Sequence, residues 1–155
     1  MSGMVIGIII VAILVVAIVL MYNGLVKART YTQESWSQIN VQLKRRNDLI
    51  PNLVNTVKGY ATHEKETLSK VVELRNQLVD QTKVADPSTA QRQAAMQTSN
   101  QLSDTLKSIF ALSENYPDLK ANQEFNKLME ELTNTENKIA YSRQLYNSSV
   151  ASYNI

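Results

Sequence analysis

The sequence predicts an all-α protein: a single N-terminal transmembrane helix followed by an antiparallel up-and-down four-helix bundle. Two observations support this fold class. Residues 1–21 contain no charged side chain and 18 of them are apolar, whereas all 30 charged residues lie in the remaining 134. From Tyr22 onward, apolar residues recur every three or four positions, which is the period of an amphipathic helix. No run with the two-residue period of a β-strand accompanies them.

The charge-free segment is long enough to cross a bilayer. Its 18 residues from Met4 to Met21 span about 27 Å as a helix, close to the roughly 30 Å of a hydrocarbon core. A cleaved signal peptide is the alternative, but no basic residue precedes the run and no small-x-small cleavage site follows it. We therefore expect residues 1–22 to form an anchor and residues 23–155 a helical bundle domain. The positions expected to face lipid are Met4, Val5, Ile9, Ile13, Val16, Leu20 and Tyr22.

Basic residues follow the anchor and none precedes it. Lys27 and Arg29 are the juxtamembrane cations, and the positive-inside rule then places the bundle in the cytoplasm and the short N-terminus outside. Each cation close to an anionic bilayer contributes about 1 kcal/mol of attraction. Lys44 lies 23 residues beyond Met21, about 35 Å along a straight helix. That distance far exceeds the Debye length of about 8 Å, so Lys44 and its neighbours reach the membrane only if the helix lies along its surface.

Helices are expected at about 23–60, 63–84, 87–112 and 117–153. The first carries a regular apolar stripe with Arg46 at its one polar position: Trp36, Ile39, Leu43, Ile50, Leu53, Val57 and Tyr60. Pro51 lies inside this helix, and the unbroken stripe predicts a kink with the helix continuing. A turn is expected at 59–63, with Thr62 as the next N-cap. One uninterrupted helix to about Val84 is the alternative.

The later helices are marked by capping residues and by their own stripes. Asp86 and Pro87 predict an N-cap and first position for the third helix. The first half of that helix, residues 91–101, is mostly polar and is expected to be its least buried part. The apolar sets are Leu68, Val71, Val72, Leu74, Leu78 and Val79, then Met96, Leu102, Leu106, Ile109 and Phe110, then Phe125, Leu128, Met129, Leu132, Ile139, Tyr146, Val150 and Tyr153.

A buried polar layer is expected where polar residues interrupt the stripes. Arg46 lies in the apolar phase of the first helix, so it requires a partner. The hypothesis joins Arg46 or Asp48 to Glu136 or Arg143 on the last helix. The full set of candidate interaction or polar-layer residues is Lys44, Arg45, Arg46, Asp48, Glu136, Asn137 and Arg143.

The composition argues against most kinds of chemistry. With no cysteine and one histidine, thiolate and histidine metal sites are not expected, and no cofactor is predicted. The acids of the last helix do not form a Glu-x-x-His motif of the di-iron bundles. A net charge of +2 without interleaved basic and aromatic residues gives no nucleic-acid footprint. The prediction is a protein that is not an enzyme.

Several runs together resemble the LemA family. They are Tyr22-Asn23-Gly24-Leu25-Val26, the LKRRNDLIPNLV run of 43–54, the TVKGYATHE run of 56–64, the YPDLKAN run of 116–122 and the TENKIAYSRQLYN run of 135–147. The resemblance implies a bacterial membrane protein with one N-terminal anchor, a short N-terminus outside and a four-helix bundle. It implies no activity. Chains of the family usually continue past the last helix, whereas this sequence stops at Ile155.

The leading functional hypothesis is a scaffold in the bacterial inner membrane that associates with itself and shapes the bilayer. The expected partners are membrane lipid, further copies of the chain, and other membrane or cytoplasmic proteins. Asn, Gln, Ser and Thr total 49 residues, which gives a wettable helical surface that can meet other helices. The alternative hypothesis is a signalling adaptor that relays a stimulus to a cytoplasmic partner.

Overall fold

A computed structural model describes the backbone of residues 2–154 and the side chains of residues 2–151. This part of the chain is helical and contains no β-strand, as predicted. The helices are α1 (Ser2–Lys58), α2 (Lys65–Thr82), α3 (Thr89–Ser113), α4 (Pro117–Lys120) and α5 (Gln123–Asn154). The chain forms two compact units, one of residues 1–38 with 142–155 and one of residues 39–141. The second unit contains the four long helical segments of a bundle.

Helix α1 runs without a break from the apolar segment into the bundle. It passes through Pro51, whose side chain is exposed, so the missing backbone donor does not end the helix. The helix ends at Lys58, where the amide N–H groups of Tyr60 and Ala61 both donate to the carbonyl of Val57. The turn at 59–64 therefore separates α1 from α2, and the uninterrupted helix is not observed.

Two predicted N-caps are wrong. Thr62 does not cap α2, because Glu64 occupies the N-cap position and makes no side-chain cap hydrogen bond. Asp86 does not cap α3, which begins after Ser88. The Ser88 hydroxyl accepts from the backbone N–H of Gln91, and the Gln91 side chain accepts from the backbone N–H of Ser88. This reciprocal capping box satisfies two orphan donors, which a lone carboxylate before the proline does not do.

The segment expected to form one fourth helix is divided. The single turn of α4 ends at Lys120, and α5 begins at Gln123. Between them, Asn122 Oδ1 accepts from the backbone N–H of Phe125 at 2.9 Å. Asn122 thus acts as a side-chain cap for the first turn of α5, which explains why a new helix begins here.

The bundle unit buries most of the predicted stripes, with Ile39, Leu43, Ile50, Leu53 and Val57 all fully buried on α1. Two predicted stripe positions are wrong. Tyr60 is 41% exposed, and its hydroxyl accepts from Asn122 Nδ2, while Ala61 is buried instead. Val72 is 39% exposed on α2.

The polar first half of α3 is less buried than its second half, as predicted, but it also supplies three side chains to the interior. Ala95, Thr98 and Ser99 are each at most 4% exposed. Their small side chains fit the bundle interior at the level where α1 supplies the long side chain of Arg46. Side-chain volume, in addition to polarity, therefore decides which face of α3 turns inward.

The other unit contains residues 2–38 of α1 and the last part of α5. Every residue from 2 to 27 is exposed, and the first buried side chain on α1 is Thr32. Trp36 and Tyr146 are both buried, with ring centroids 5.6 Å apart and planes tilted by 58°. Such an aromatic pair contributes about 0.5–1.5 kcal/mol beyond the area it buries. Tyr153, which the sequence placed on the α5 stripe, lies outside the described side chains.

Candidate functional site

The polar layer of the bundle unit is centred on Arg46. Its stripe position on α1 turns the side chain inward, and Arg46 is fully buried. Guanidinium Nη1 donates to Glu136 Oε2 of α5 at 2.7 Å, which forms a salt bridge. The sequence hypothesis therefore identified two residues that the fold brings together, 90 positions apart along the chain.

Two serines of α3 complete the layer. Arg46 Nη1 donates to Ser103 Oγ at 2.9 Å, and Nη2 donates to Ser99 Oγ at 2.7 Å. Ser103 Oγ lies 2.7 Å from Glu136 Oε1 and donates to it. The guanidinium, the carboxylate and the two hydroxyls therefore form one connected network joining α1, α3 and α5. We refer to these four residues as the Arg46 layer.

The sequence analysis missed both serines. Ser99 and Ser103 lie four residues apart, so they share one face of α3, and that face continues the apolar positions Ala95, Leu102 and Leu106. The signal that could have identified them is the presence of small hydroxyl residues in phase with an apolar stripe. They leave room for an arginine side chain and supply acceptors for its donors.

The electrostatics of the Arg46 layer are asymmetric. Arg46 is 0% exposed, whereas the Glu136 side chain is 39% exposed, so water reaches the carboxylate but the protein surrounds the cation. An arginine stays protonated in proteins, and the layer therefore offers no proton donor or acceptor couple centred on that side chain. Its chemistry is that of a fixed charge pair that, with the two serine hydroxyls, links three helices.

A second polar contact lies next to the layer. Arg75 Nε of α2 donates to the backbone carbonyl of Asn47 at 3.1 Å. Asn47 is 2% exposed, and both polar atoms of its side chain lack a hydrogen-bond partner among the described residues. An unsatisfied buried amide costs about 1–3 kcal/mol, so we expect the Asn47 side chain to lower the stability of this unit.

The other candidates for the polar layer lie elsewhere. Lys44, Arg45, Asp48 and Asn137 are exposed, and Arg143 is half-buried in the unit that contains residues 142–155. Exposure favours solvated charges at these positions over members of a buried network. Their role in an interaction remains a prediction.

The N-terminal part of α1 is an uncovered apolar surface. It is long and apolar enough to cross a membrane, and none of its most apolar 18-residue stretch is buried by the rest of the chain. The predicted lipid-facing positions are all at least 51% exposed: Met4, Val5, Ile9, Ile13, Val16, Leu20 and Tyr22. Exposed large apolar side chains continue through Leu25 and Val26, and the exposed cations Lys27 and Arg29 follow.

No cluster suited to a metal ion is present in the described residues. Within that part of the chain, no three His, Cys, Asp or Glu side chains converge. His63 lies exposed in the turn before α2, beside Glu64. Two features of the described residues stand out. The first is the apolar segment of α1, which the rest of the chain leaves uncovered. The second is the Arg46 layer, a buried charge pair that joins helices.

Comparison with known proteins decides the family. The family model described as the LemA family matches residues 35–155. The chain belongs to the LemA family. This confirms the resemblance carried by the 43–54 and 56–64 runs, and the matched region includes both members of the salt bridge, Arg46 and Glu136.

Curated relatives of this LemA-family chain come from several bacteria. Protein LemA of Metamycoplasma hominis is 26% identical over 136 residues, covering 85% of this chain and 57% of the relative. Magnetosome protein MamQ 2 of Paramagnetospirillum magneticum is 25% identical, covering 98% of this chain and 62% of the relative. Magnetosome protein MamQ of Magnetospirillum gryphiswaldense is 23% identical, covering 91% and 58%. The chain spans about three fifths of these relatives, and none of their names states an enzymatic activity.

Proposed function

We propose that this protein is a membrane-anchored scaffold of the bacterial inner membrane that acts by associating with itself. The observation that carries the proposal is the charge-free apolar segment of α1, which the rest of the chain leaves uncovered. In water such a surface is unfavourable by about 25 cal/mol per Å² of apolar area, so it requires lipid or another apolar surface. Because α1 continues into the bundle, the anchor and the first bundle helix are one element.

The bundle supports a role in association rather than in chemistry. Its prominent buried polar group is the charge pair of Arg46 and Glu136, which has both charges already paired. Its exposed surface is rich in short polar side chains and carries acids and bases side by side. Such a surface allows contact between helices without a large desolvation cost for clustered charges.

Membrane insertion is tested by charges placed in the anchor. Replacing Ile9, Ile13 and Val16, which are all at least 52% exposed, with Lys puts three cations near the middle of the apolar run. Each lysine there costs about 2.5–3.5 kcal/mol of insertion free energy, which together outweighs the roughly 0.3–0.6 kcal/mol gained from each remaining apolar residue, so the variant should shift from the membrane to the soluble or aggregated fraction. The matched control carries Gln97→Lys, Gln101→Lys and Ser108→Lys at exposed positions of α3 and should remain in the membrane.

Orientation is tested with single cysteines, because the chain contains none of its own. Ser2→Cys and Ser108→Cys place thiols at exposed positions of the N-terminus and of the bundle. A membrane-impermeant maleimide should label Ser2→Cys in intact spheroplasts. It should label Ser108→Cys only after the spheroplasts are lysed. The opposite pattern would contradict the cytoplasmic placement that Lys27 and Arg29 support.

Self-association is tested on the full chain in mild detergent. Light scattering across a concentration series should show oligomers that dissociate on dilution. Chemical cross-linking in native membranes should yield the same species. Monomers at every concentration, together with cross-links to a different protein, would refute the scaffold and favour the signalling adaptor.

A further inference from the structure

An open groove lies between the end of α1 and the first part of α2, within the unit of residues 39–141. It has a volume of about 720 Å³, inside the range of about 300–1,000 Å³ that is common for binding pockets. Its most buried lining residues are Ala61 and Leu68, and the apolar Val54 and Val72 beside them remain partly accessible. None of the residues of the Arg46 layer lines the groove, so it is a separate feature.

The groove has the length of a short helix. Its lining along α2 runs from residue 65 to residue 76, which is about 16 Å or three helical turns. Leu68 and Val72 lie four residues apart on one face of α2, so their apolar side chains form a row along the groove. An apolar row between two helices is the receptor geometry of helix-in-groove recognition, in which a partner helix contributes apolar residues at intervals of three, four and seven.

The two ends of the groove differ in charge. Lys58 ends α1 and Lys65 begins α2, so two cations lie at the end next to the turn. Glu73 lies eight residues beyond Lys65, about 12 Å farther along α2. None of these three residues forms a salt bridge within the described part of the chain, and the neighbouring acids Glu64 and Glu66 do not line the groove. The charges therefore favour a ligand with carboxylates at one end and none at the other.

Neither another copy of the chain nor the bilayer matches the groove. The exposed large apolar side chains in the described part of the bundle unit are Val41, Tyr60, Val72, Val84 and Tyr141. No two of them lie on the same helix, so they form no stripe that could fill the groove. The apolar run of α1 contains no acidic residue to meet the lysines. Val54 lies 33 residues beyond Met21, about 50 Å along α1, which separates the groove from the lipid-facing segment.

We propose that the groove is the docking site for an acidic amphipathic helix of a different protein. The apolar face of this helix, about three turns long, packs on Val54, Leu68 and Val72. Carboxylates at one end of the helix pair with Lys58 and Lys65. One helix of this kind matches the length, the apolar row and the charges of the groove together. The contact does not depend on the proposed self-association, because its partner is not a copy of this chain.

Three synthetic peptides test the chemistry of the ligand. Each has about 14 residues, leucines at intervals of four, three and four, and a hydrocarbon staple on the polar face, because unsupported helices of this length are marginal in water. They differ at two positions near one end, which carry glutamate, glutamine or lysine. Fluorescence anisotropy against the full chain in nanodiscs of zwitterionic lipid should give the tightest binding for the glutamate peptide and binding about tenfold weaker for the lysine peptide. Equal affinities for these two peptides, or no binding above that of empty nanodiscs, would overturn the proposal.

Charge reversal in the protein tests the role of the two lysines. The double variant Lys58→Glu with Lys65→Glu should invert the order, so that the lysine peptide binds more tightly than the glutamate peptide. The matched control is Lys70→Glu with Lys107→Glu, which makes the same charge change at exposed positions outside the groove and should keep the original order. An order that the first double variant does not invert would overturn the pairing.

A polar substitution tests the apolar contact. Val72→Asn should weaken the binding of all three peptides about tenfold, because the apolar surface that each peptide covers at this position is lost. Val41→Asn, at an exposed position of α1 outside the groove, is the matched control and should leave the affinities unchanged. Thermal unfolding followed by circular dichroism checks that each variant is folded. Equal effects of Val72→Asn and Val41→Asn would overturn the docking site.

Competition experiments test the other possible occupants of the groove. Dissociation of oligomers of the full chain by the glutamate peptide would assign the groove to a contact between copies and overturn the proposal. Displacement of the neutral glutamine peptide by anionic phosphatidylglycerol in the nanodiscs would assign the groove to lipid and also overturn it. We expect neither effect. Lysine-dependent peptide binding by a chain that stays monomeric would support the docking site and refute self-association, so the two proposals fail separately.

Discussion

The Arg46 layer gives a sharp prediction about which half of a buried ion pair the fold depends on. Replacing Glu136 with Ala removes the carboxylate and leaves the guanidinium of Arg46, which is 0% exposed, without its counter-charge. Breaking a buried pair in this way costs about 3–5 kcal/mol. Because the Glu136 side chain is 39% exposed, water can enter where it stood, so we expect the lower end, about 3 kcal/mol.

Removing the cation instead of the carboxylate should cost less unfolding free energy. Arg46→Met removes the cation but fills most of its volume, and Glu136 keeps both its contact with water and the hydrogen bond from Ser103. We expect a loss of about 1 kcal/mol, because replacing buried charge by apolar volume is often close to neutral. In the double variant, Arg46→Met with Glu136→Ala, no buried charge remains unpaired. Its loss of unfolding free energy should therefore stay near about 1–1.5 kcal/mol. The double-mutant cycle then has a coupling energy of about 2–3 kcal/mol.

The assay is urea unfolding of the full chain in mild detergent, followed by far-ultraviolet circular dichroism. With a slope m of about 2 kcal/mol/M, a loss of 3 kcal/mol lowers the urea midpoint by about 1.5 M. Glu130→Ala, at an exposed position of α5, is the matched control and should change stability by less than about 0.5 kcal/mol. Additive effects in the cycle, or equal losses for Glu136→Ala and Glu130→Ala, would show that Arg46 does not depend on this carboxylate.

Three further predictions concern single positions. Asn47→Leu removes two buried polar atoms without partners and should raise stability by about 1 kcal/mol in urea unfolding, whereas Asn52→Leu at an exposed site should not. Ser88→Ala removes the cap of α3 and should cost about 1 kcal/mol by the same measurement, and an unchanged midpoint would contradict the capping role. Tyr146→Ala uncovers Trp36, the single tryptophan, so its fluorescence emission should shift to longer wavelength; unchanged emission would show that the ring pair does not shield the indole.

Local sequence determined the helices better than it determined where they begin. The stripe from Ile39 to Val57 is buried as predicted, because a spacing of three and four residues places these side chains on one face whatever the helix packs against. The caps were less predictable. Asp86 with Pro87 and Ser88 with Gln91 are competing start signals whose N-cap residues lie two positions apart, and the reciprocal hydrogen bonds of the second pair decided the outcome.

The sequence by itself determined the apolar anchor and the presence of a buried arginine. Both follow from the phase and composition of one helix, since a charge-free run needs no partner to be recognised and Arg46 lies in phase with its own apolar neighbours. The tertiary structure decided which residues surround Arg46. Ser99 and Ser103 are distant in sequence, and their short side chains became acceptors because α3 packs against α1 at that level. The exposure of Val72 was decided in the same way, because only the packing of neighbouring helices determines which flank of a stripe stays uncovered.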